Sequence, residues 1–333
     1  MLAATERRRV EGPAPGDHGP FRTTRARDRL IEEDNGMRPQ PGIFALGASE
    51  HSYVELDRDP SAPAEQLVRA LAALSGPETT TGGMSTVIGL RPELWAALRP
   101  DDAPDGVRSF APVRGPELTM PATQHDAWLW IAGGARDAVF DATVHATRAL
   151  SGIASVASEI GGWIYRNDRD LTGFIDGTEN PSMIEAGAVA VRASGPGTGS
   201  SIVLVQKWRH EPSFALLSDA EQERVIGRTK PDSIELGEDE MPPDSHVSRN
   251  VVEEGGRELR IYRRNTAYGG PTEHGTLFVG FCSDQRPLQV MLERMAGVGD
   301  GVRDALTRHT TPLSGAYYVV PALDALARYV ELD

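Results

Sequence analysis

The sequence predicts an α+β protein built from two similar halves, and three observations support this prediction. Apolar runs of strand length alternate with segments of helical apolar spacing. The order of apolar strand, small polar turn and amphipathic helix in DAWLWIAGGARDAVFDATVHATRAL returns about 150 residues later in GTLFVGFCSDQRPLQVMLERM. Hydrophobic residues make up 39% and charged residues 25% of the 333 residues, the balance of a globular protein.

The first half is expected to span residues 38–165. PGIFALGASEHSYVELD predicts a strand, PAEQLVRALAAL a helix, and STVIGLRPELWAAL a strand followed by a helix. Pro104–Pro121 is rich in turn residues and predicts a loop. Residues 1–37 carry many arginines and one aromatic residue, which predicts a disordered tail with Met37 as the expected start of the protein.

The second half, residues 166–333, repeats the pattern. SIVLVQKW predicts a strand, and SDAEQERVIG a helix in which Ser218 and Glu221 form a capping box. SGAYYVVPAL predicts a final strand.

Charge and composition exclude several classes of function. A formal net charge of -14 argues against nucleic-acid binding and against docking on anionic lipid. The longest apolar runs are too short to span a bilayer, and no glycine-rich nucleotide motif occurs. The single cysteine, Cys282, lies in an apolar run, which predicts a buried thiol and fits a reducing cytoplasm.

The segment GFIDGTENP, residues 173–181, is a poor helix and a poor strand. Its glycines allow the backbone to approach a flat, bulky group, and its neighbours hold Asp176 in place. The alternative interpretation is an ordinary Asp-Gly turn without function.

Among the eight histidines, His246 stands out, because it follows an acidic, proline-rich loop and opens VSRNVVE. His125, His210 and His274 are predicted to lie in turns beside acidic residues. No HExxH pair occurs, which disfavours a zinc protease. One histidine suffices for a haem, because the porphyrin supplies four ligands; a purely structural histidine is the alternative.

The segment IYRRNTAYGG, residues 261–270, sets two arginines and an asparagine before a glycine-rich turn. An arginine there can place a permanent cation over a pocket and stabilise an anionic peroxide. The alternative is a solvated pair of charges.

Together these segments resemble the dye-decolorising peroxidase family, in its bacterial short form. GFIDGTENP matches the family's GxxDG signature, and VLVQKW, EQERVIGRTK, SHVSR and IYRRNTAYG follow in the family's order. QPGIFALG and ATQHDAWLWI extend the resemblance to the first half, so that it covers about residues 39–333.

The resemblance implies a dimeric α+β barrel fold of two ferredoxin-like halves and one haem b per chain. It implies that His246 is the iron ligand, Asp176 the distal acid and Arg263 the distal cation, with Asn265 beside them. Arg264 is the adjacent alternative and is expected on the opposite face of an extended segment. The haem contacts that the resemblance implies are Ile175, Gly177, Thr178, Glu179, His246 and Arg263.

The sequence departs from the family near the C-terminus. The family often has an acid there that supports the iron-ligating histidine, yet Arg308 and His309 stand where Asp and Phe are expected. Asp304 or another acid must take that role for the histidine to be fully basic.

The resemblance implies reduction of hydrogen peroxide with electrons from a bulky organic donor, in a homo-oligomer. Such donors cannot enter a buried pocket, so aromatic residues could relay electrons, although core packing is the favoured interpretation of each: Trp128, Trp163, Tyr262 and Tyr268. A haem-handling protein with incidental peroxidase activity, and a haem-free structural protein, are the competing functions.

Overall fold

The computed structural model describes residues 37–75 and 83–330, so the predicted tail lies outside the described residues apart from Met37. The strands are β1 (Glu50–Arg58), β2 (Ser85–Leu90), β3 (Val113–Arg114), β4 (Thr119–Met120), β5 (Ala127–Gly133), β6 (Ala154–Trp163), β7 (Ser201–His210), β8 (Glu253–Glu254), β9 (Arg257–Glu258), β10 (Tyr262–Arg263), β11 (Thr266–Gly269), β12 (His274–Cys282), β13 (Thr310–Pro312) and β14 (Ala316–Val320). The α-helices are α1 (Ala64–Ala73), α2 (Pro92–Leu98), α3 (Arg136–Ala149), α4 (Met183–Ala190), α5 (Asp219–Ile226), α6 (His246–Asn250), α7 (Gln285–Met295) and α8 (Leu323–Val330). Short 3-10 turns lie at Pro41–Phe44, Phe214–Leu216 and Ala305–Arg308.

The two halves have the same strand order. In the first half the order across the sheet is β6-β1-β5-β2, and in the second it is β14-β7-β12-β11. In each half the first and third strands lie at the centre and a helix follows each of them, which is the ferredoxin-like arrangement. The prediction of an α+β fold with ferredoxin-like halves is confirmed. The boundary at residues 165 and 166 stays a prediction.

The halves share one continuous sheet. Strand β11 pairs with β6 through Ala267 and Tyr268, and β14 pairs with β2 through Val319. Because β12 also pairs with β7, the eight strands of the two halves form a closed ring. The closed ring leaves no free edge among these eight strands.

Local sequence signals explain where several elements begin and end. Ser218 and Glu221 form the predicted capping box at the start of α5, and Gly227 ends that helix with a φ of 96°. Asp284 caps α7 by accepting a hydrogen bond from the backbone N–H of Arg286 at 2.7 Å. The predicted strands at SIVLVQKW and SGAYYVVPAL are β7 and β14.

Two predictions from local composition were wrong in part. The segment predicted as one long strand begins with the 3-10 turn Pro41–Phe44 and becomes a strand only at Glu50. Pro41 at the start of the turn supplies no N–H for a ladder. The predicted loop Pro104–Pro121 contains the short hairpin of β3 and β4.

Within residues 37–75 and 83–330, no helix is both long enough and apolar enough to cross a membrane. Cys282 is buried, as predicted, and its pKa is raised to about 11 by burial.

Candidate active site

One cavity of the second half gathers the predicted site residues. It holds about 1360 Å³ of atom-free space, the solvent in its mouth included. Its wall comes from the loop 170–179, the end of β7, helix α6, the segment 258–265, β12, α7 and the turn 305–308. The apolar part of the lining includes Phe174, Ile175, Ile226, Val247, Leu259, Phe278, Met291, Met295 and Leu306.

The GFIDGTENP loop belongs to no helix or strand of the described residues, and it places Asp176 in this cavity. The Asp176 N–H donates to the carbonyl of Asp168 at 2.9 Å, and Gly177 has a φ of 73°, which favours glycine. At the end of the loop, Asn180 binds the backbone of Arg263 in both directions, at 2.8 and 2.9 Å. The loop therefore fixes the acid and the cation relative to each other.

The hydrogen bonds that the described residues donate to the Asp176 carboxylate reach one oxygen, Oδ1. Oδ1 accepts hydrogen bonds from the N–H of Gly177 at 2.7 Å and from Nδ2 of Asn265 at 3.3 Å. Asn265 is itself oriented, because its Oδ1 accepts from the N–H of Val279 at 3.1 Å. Burial raises the pKa of Asp176, the charge of Arg263 opposes this shift, and the charge of Asp170 adds to it.

Arg263 and Arg264 point to different sides of the chain, as expected for an extended segment. Arg263 lines the cavity, and its Nε is buried without a hydrogen-bond partner among the described residues. Arg264 instead donates to the carbonyls of Ile43 and Ala45, both at 2.6 Å. Of these two arginines, Arg263 therefore presents its cation to the cavity, and its buried N–H group has no partner among the described residues.

His246 is the first residue of helix α6, which Ser245 caps. Its Nδ1 lies 2.7 Å from Oδ2 of Asp304, a fully buried carboxylate. The other oxygen, Oδ1, accepts from the N–H of Leu306 at 2.9 Å. With Nδ1–H donating to Asp304, the lone pair of the imidazole lies on Nε2, where a metal can bind; Nδ2 of Asn250 lies 3.4 Å from this atom. Asp304 is thus the acid that contacts this imidazole, the partner that the departure at Arg308 and His309 left open.

The predicted contact residues Ile175, Gly177, Thr178 and Glu179 all line the cavity. Glu179 forms an ion pair with Arg228, which also contacts Glu235 at 2.9 Å.

No sequence pattern predicted a partly buried polar cluster in the same wall. Thr276 donates to Asp170 and lies 3.0 Å from Nε2 of His210. All three line the cavity. The prediction that His210 and His274 lie in turns was wrong, because His210 ends β7 and His274 begins β12. The flanking Glu211 and Glu273 resembled turn residues, whereas His210 pairs with Thr310 of β13 and His274 pairs with Gly269 of β11, and this pairing decides the structure.

Comparison with known proteins identifies the class. The family model "Dyp-type peroxidase, N-terminal" matches residues 49–164, and "Dyp-type peroxidase, C-terminal" matches residues 167–325. The chain therefore belongs to the Dyp-type peroxidase family.

Individual relatives agree with this assignment. The chain is 35% identical to a dye-decolorizing peroxidase of Mycobacterium tuberculosis, over 85% of each chain. It is 36% identical to one from Rhodococcus erythropolis, over 74% of each chain. Among solved structures, a variant of DypB from Rhodococcus jostii RHA1 in complex with heme is 31% identical, with a TM-score of 0.82 over 90% of this chain and all of that chain.

Proposed function

We propose that the chain reduces hydrogen peroxide with electrons from a bulky aromatic or dye-like organic donor, using one haem b bound in the cavity. One observation carries the proposal. A single cavity contains an imidazole fixed by a buried carboxylate and, separately, an acid, a cation and an amide. The first arrangement suits an axial ligand of haem iron, and the second suits proton transfer to and from a peroxide.

The described residues fit a haem. The lining is largely apolar, which suits a porphyrin, and Nε2 of His246 is the ring nitrogen left for the iron. The unpartnered Nε of Arg263 is a buried donor that needs an anionic or polar ligand in the cavity. We assign iron ligation to His246, and contacts to the porphyrin to Ile175, Gly177, Thr178, Glu179 and Arg263.

The chemistry divides between the cofactor and the chain. A bound haem would supply the two electrons needed for cleavage of the oxygen–oxygen bond, and the organic donor would replace them. Asp176 accepts a proton from one peroxide oxygen at its available Oδ2 and delivers it to the other oxygen, which departs as water. General acid–base catalysis of this kind contributes about 10²–10⁴-fold.

Arg263 and Asn265 support that proton transfer. The guanidinium of Arg263 stabilises the negative charge that develops on the oxygens, an effect of about 10²–10³-fold for one positioned donor. Asn265 holds Asp176 with an amide that Val279 orients, so the acceptor oxygen faces the cavity in a fixed position.

The competing function, haem handling with incidental peroxidase activity, is not favoured. A carrier needs a pocket and an axial ligand. It has no use for a partly buried carboxylate of raised pKa that an oriented amide holds, beside an arginine whose backbone Asn180 fixes.

We further propose that the protein acts in the cytoplasm as a homo-oligomer. The single thiol, Cys282, is buried and cannot form an intrachain disulfide, which fits a reducing compartment. The net charge of -14 disfavours binding to nucleic acid or to an anionic membrane and is compatible with peroxide and an organic donor as the substrates.

Replacement of His246, the proposed iron ligand, tests this function. His246→Ala should fold but bind haem weakly or with a changed Soret spectrum, and should lose peroxide turnover. His145→Ala, the same change on an exposed position of α3, is the matched control and should keep the wild-type spectrum. A wild-type spectrum and turnover in His246→Ala would show that another residue holds the iron.

A further inference from the structure

Buried aromatic side chains lie behind one wall of the cavity. We use the name aromatic stack for Tyr53, Trp128, Trp130, Phe281 and Tyr318. Neighbouring ring centroids in the stack are 5.9–6.5 Å apart. All five side chains are at most 2% exposed and belong to the core between the two halves. Rings at such spacing can exchange electrons as well as pack.

The cavity and the aromatic stack share the segment 263–266 as a wall. Arg263 and Asn265 line the cavity. The alternate residues face the stack: the guanidinium of Arg264 lies 5.0 Å from the ring of Trp130, and Oγ1 of Thr266 lies 3.2 Å from the hydroxyl of Tyr53. One thickness of backbone therefore separates the two.

The far end of the stack has a proton acceptor. The hydroxyl of Tyr318 donates to Oε1 of Glu55 at 2.7 Å, and both side chains are buried. Burial raises the pKa of both groups. A phenol that loses an electron becomes a strong acid, so a buried tyrosine can be oxidised only with a base in hydrogen-bond contact. Glu55 is such a base.

Fixed charges give the stack a direction. The cation of Arg264 over Trp130 disfavours positive charge at the cavity end, and the Glu55 carboxylate favours it at the Tyr318 end. His51, which accepts from Nε1 of Trp130 at 3.0 Å, adds no charge there, because burial lowers its pKa to about 4. Positive charge is therefore favoured at the Tyr318 end of the stack over the Trp130 end.

The Glu55 end also approaches the surface. The charges of His125 and Asp57 act on Glu55. These two residues form an ion pair at 2.9 Å, and their side chains are 23% and 50% exposed. The end of the stack remote from the cavity is thus the end closest to a donor in solution.

We propose that Tyr318 holds an oxidising equivalent as a neutral tyrosyl radical, with its proton on Glu55. One electron leaves Tyr318 through Trp128 and Trp130 for the centre in the cavity that peroxide has oxidised, and the phenolic proton moves to the Glu55 carboxylate. An electron from the organic donor then reduces the radical, and the proton returns. This inference rests on the proposed function and adds the route by which a donor too large for the cavity is oxidised.

Electron paramagnetic resonance tests the proposal. Haem-loaded protein is mixed with one equivalent of hydrogen peroxide and frozen within milliseconds. The wild type should show a radical signal that narrows when the protein carries ring-deuterated tyrosine. Tyr318→Phe should lose this signal, and Glu55→Gln should lose most of it, because the amide cannot take the proton. Both variants should still react with peroxide at the wild-type rate in stopped-flow absorbance.

Tyr317→Phe is the matched control. Tyr317 is the neighbouring residue and equally buried, but it packs in a different core cluster, and its hydroxyl contacts Gln289 at 3.4 Å rather than a carboxylate. This variant should keep the radical signal. If the signal persists in Tyr318→Phe, or disappears equally in Tyr317→Phe, the assignment of the radical to Tyr318 is wrong; if it persists undiminished in Glu55→Gln, Glu55 is not the proton acceptor. A wild type that shows no absorbance change with peroxide overturns the proposed function, and this inference with it.

Discussion

Asp304 shows how one side chain can serve both the fold and the site. Its Oδ1 caps the turn Ala305–Arg308 through Leu306, and its Oδ2 lies 2.7 Å from Nδ1 of His246. The same carboxylate therefore fixes a helical turn and the imidazole tautomer. We propose that the Asp304 carboxylate beside the imidazole N–H increases the basicity of Nε2 and would stabilise a bound iron in its oxidised states.

Asp304→Asn separates these two roles. The amide oxygen can still accept from Leu306, while the charge beside His246 is lost. We expect haem to remain bound and the reduction potential of the iron to rise, as measured by spectroscopic redox titration. Asp244→Asn is the control, because Asp244 pairs with Arg308 at the surface. Equal potentials in Asp304→Asn and the wild type would contradict the role given to Asp304.

The pH dependence of the peroxide step should follow Asp176. This residue must be ionised to accept a proton, and burial raises its pKa, so the rate is full above that pKa and falls as the pH drops through it. Arg263 lowers this pKa and Asp170 raises it. The midpoint of the pH–rate profile should therefore move up in Arg263→Leu and down in Asp170→Asn. Midpoints that stay fixed, or move in the same direction, would exclude Asp176 as the titrating group.

At the level of single residues, the short motifs of the sequence predicted the residues of the candidate site. Asp176, His246, Arg263 and Asn265 were predicted from short segments, and all line one cavity. The contact between Asp304 and His246 joins residues 58 positions apart, and no local pattern reports such a pair. His210 was missed because its local pattern was misleading: the acidic residue beside it, Glu211, is typical of a turn.

Between elements, close packing of β2 against β14 depends on a glycine. A Cβ atom on Gly89 would lie 2.7 Å from Cβ of Tyr318 and 3.2 Å from the ring of Trp128. Gly89→Ala should destabilise the protein by about 1–3 kcal/mol, the usual cost of overpacking. Gly134→Ala, where a Cβ meets nothing within 4 Å, should change stability by less than about 0.5 kcal/mol. Urea unfolding followed by tryptophan fluorescence measures both, and equal effects would contradict this packing.

The elements themselves were predictable where periodicity was strong. The helix after Ser218 and the strand–turn–helix of β12 and α7 follow from capping residues and apolar spacing. The start of the first strand was not predictable, because Pro41–Phe44 is apolar enough to resemble a strand. The missing N–H of the proline and local packing make this segment a turn.

For the whole molecule, the ring of strands makes the two halves interdependent. The second half contains the cavity, but Arg264 binds carbonyls of Ile43 and Ala45, and the aromatic stack draws rings from both halves. The duplication visible in the sequence therefore produces one functional unit, in which the first half supports the wall behind the site.

The central claim is that Asp176 and Arg263 act on bound peroxide, and stopped-flow absorbance after mixing the haem-loaded protein with hydrogen peroxide tests it most directly. Asp176→Ala and Arg263→Leu should each retain haem and slow the peroxide-dependent Soret change by about 10²-fold or more. The double variant should be slowed by less than the product of the two effects, because both residues act on one molecule of peroxide. Wild-type rates in both single variants, with only donor oxidation impaired, would contradict the account.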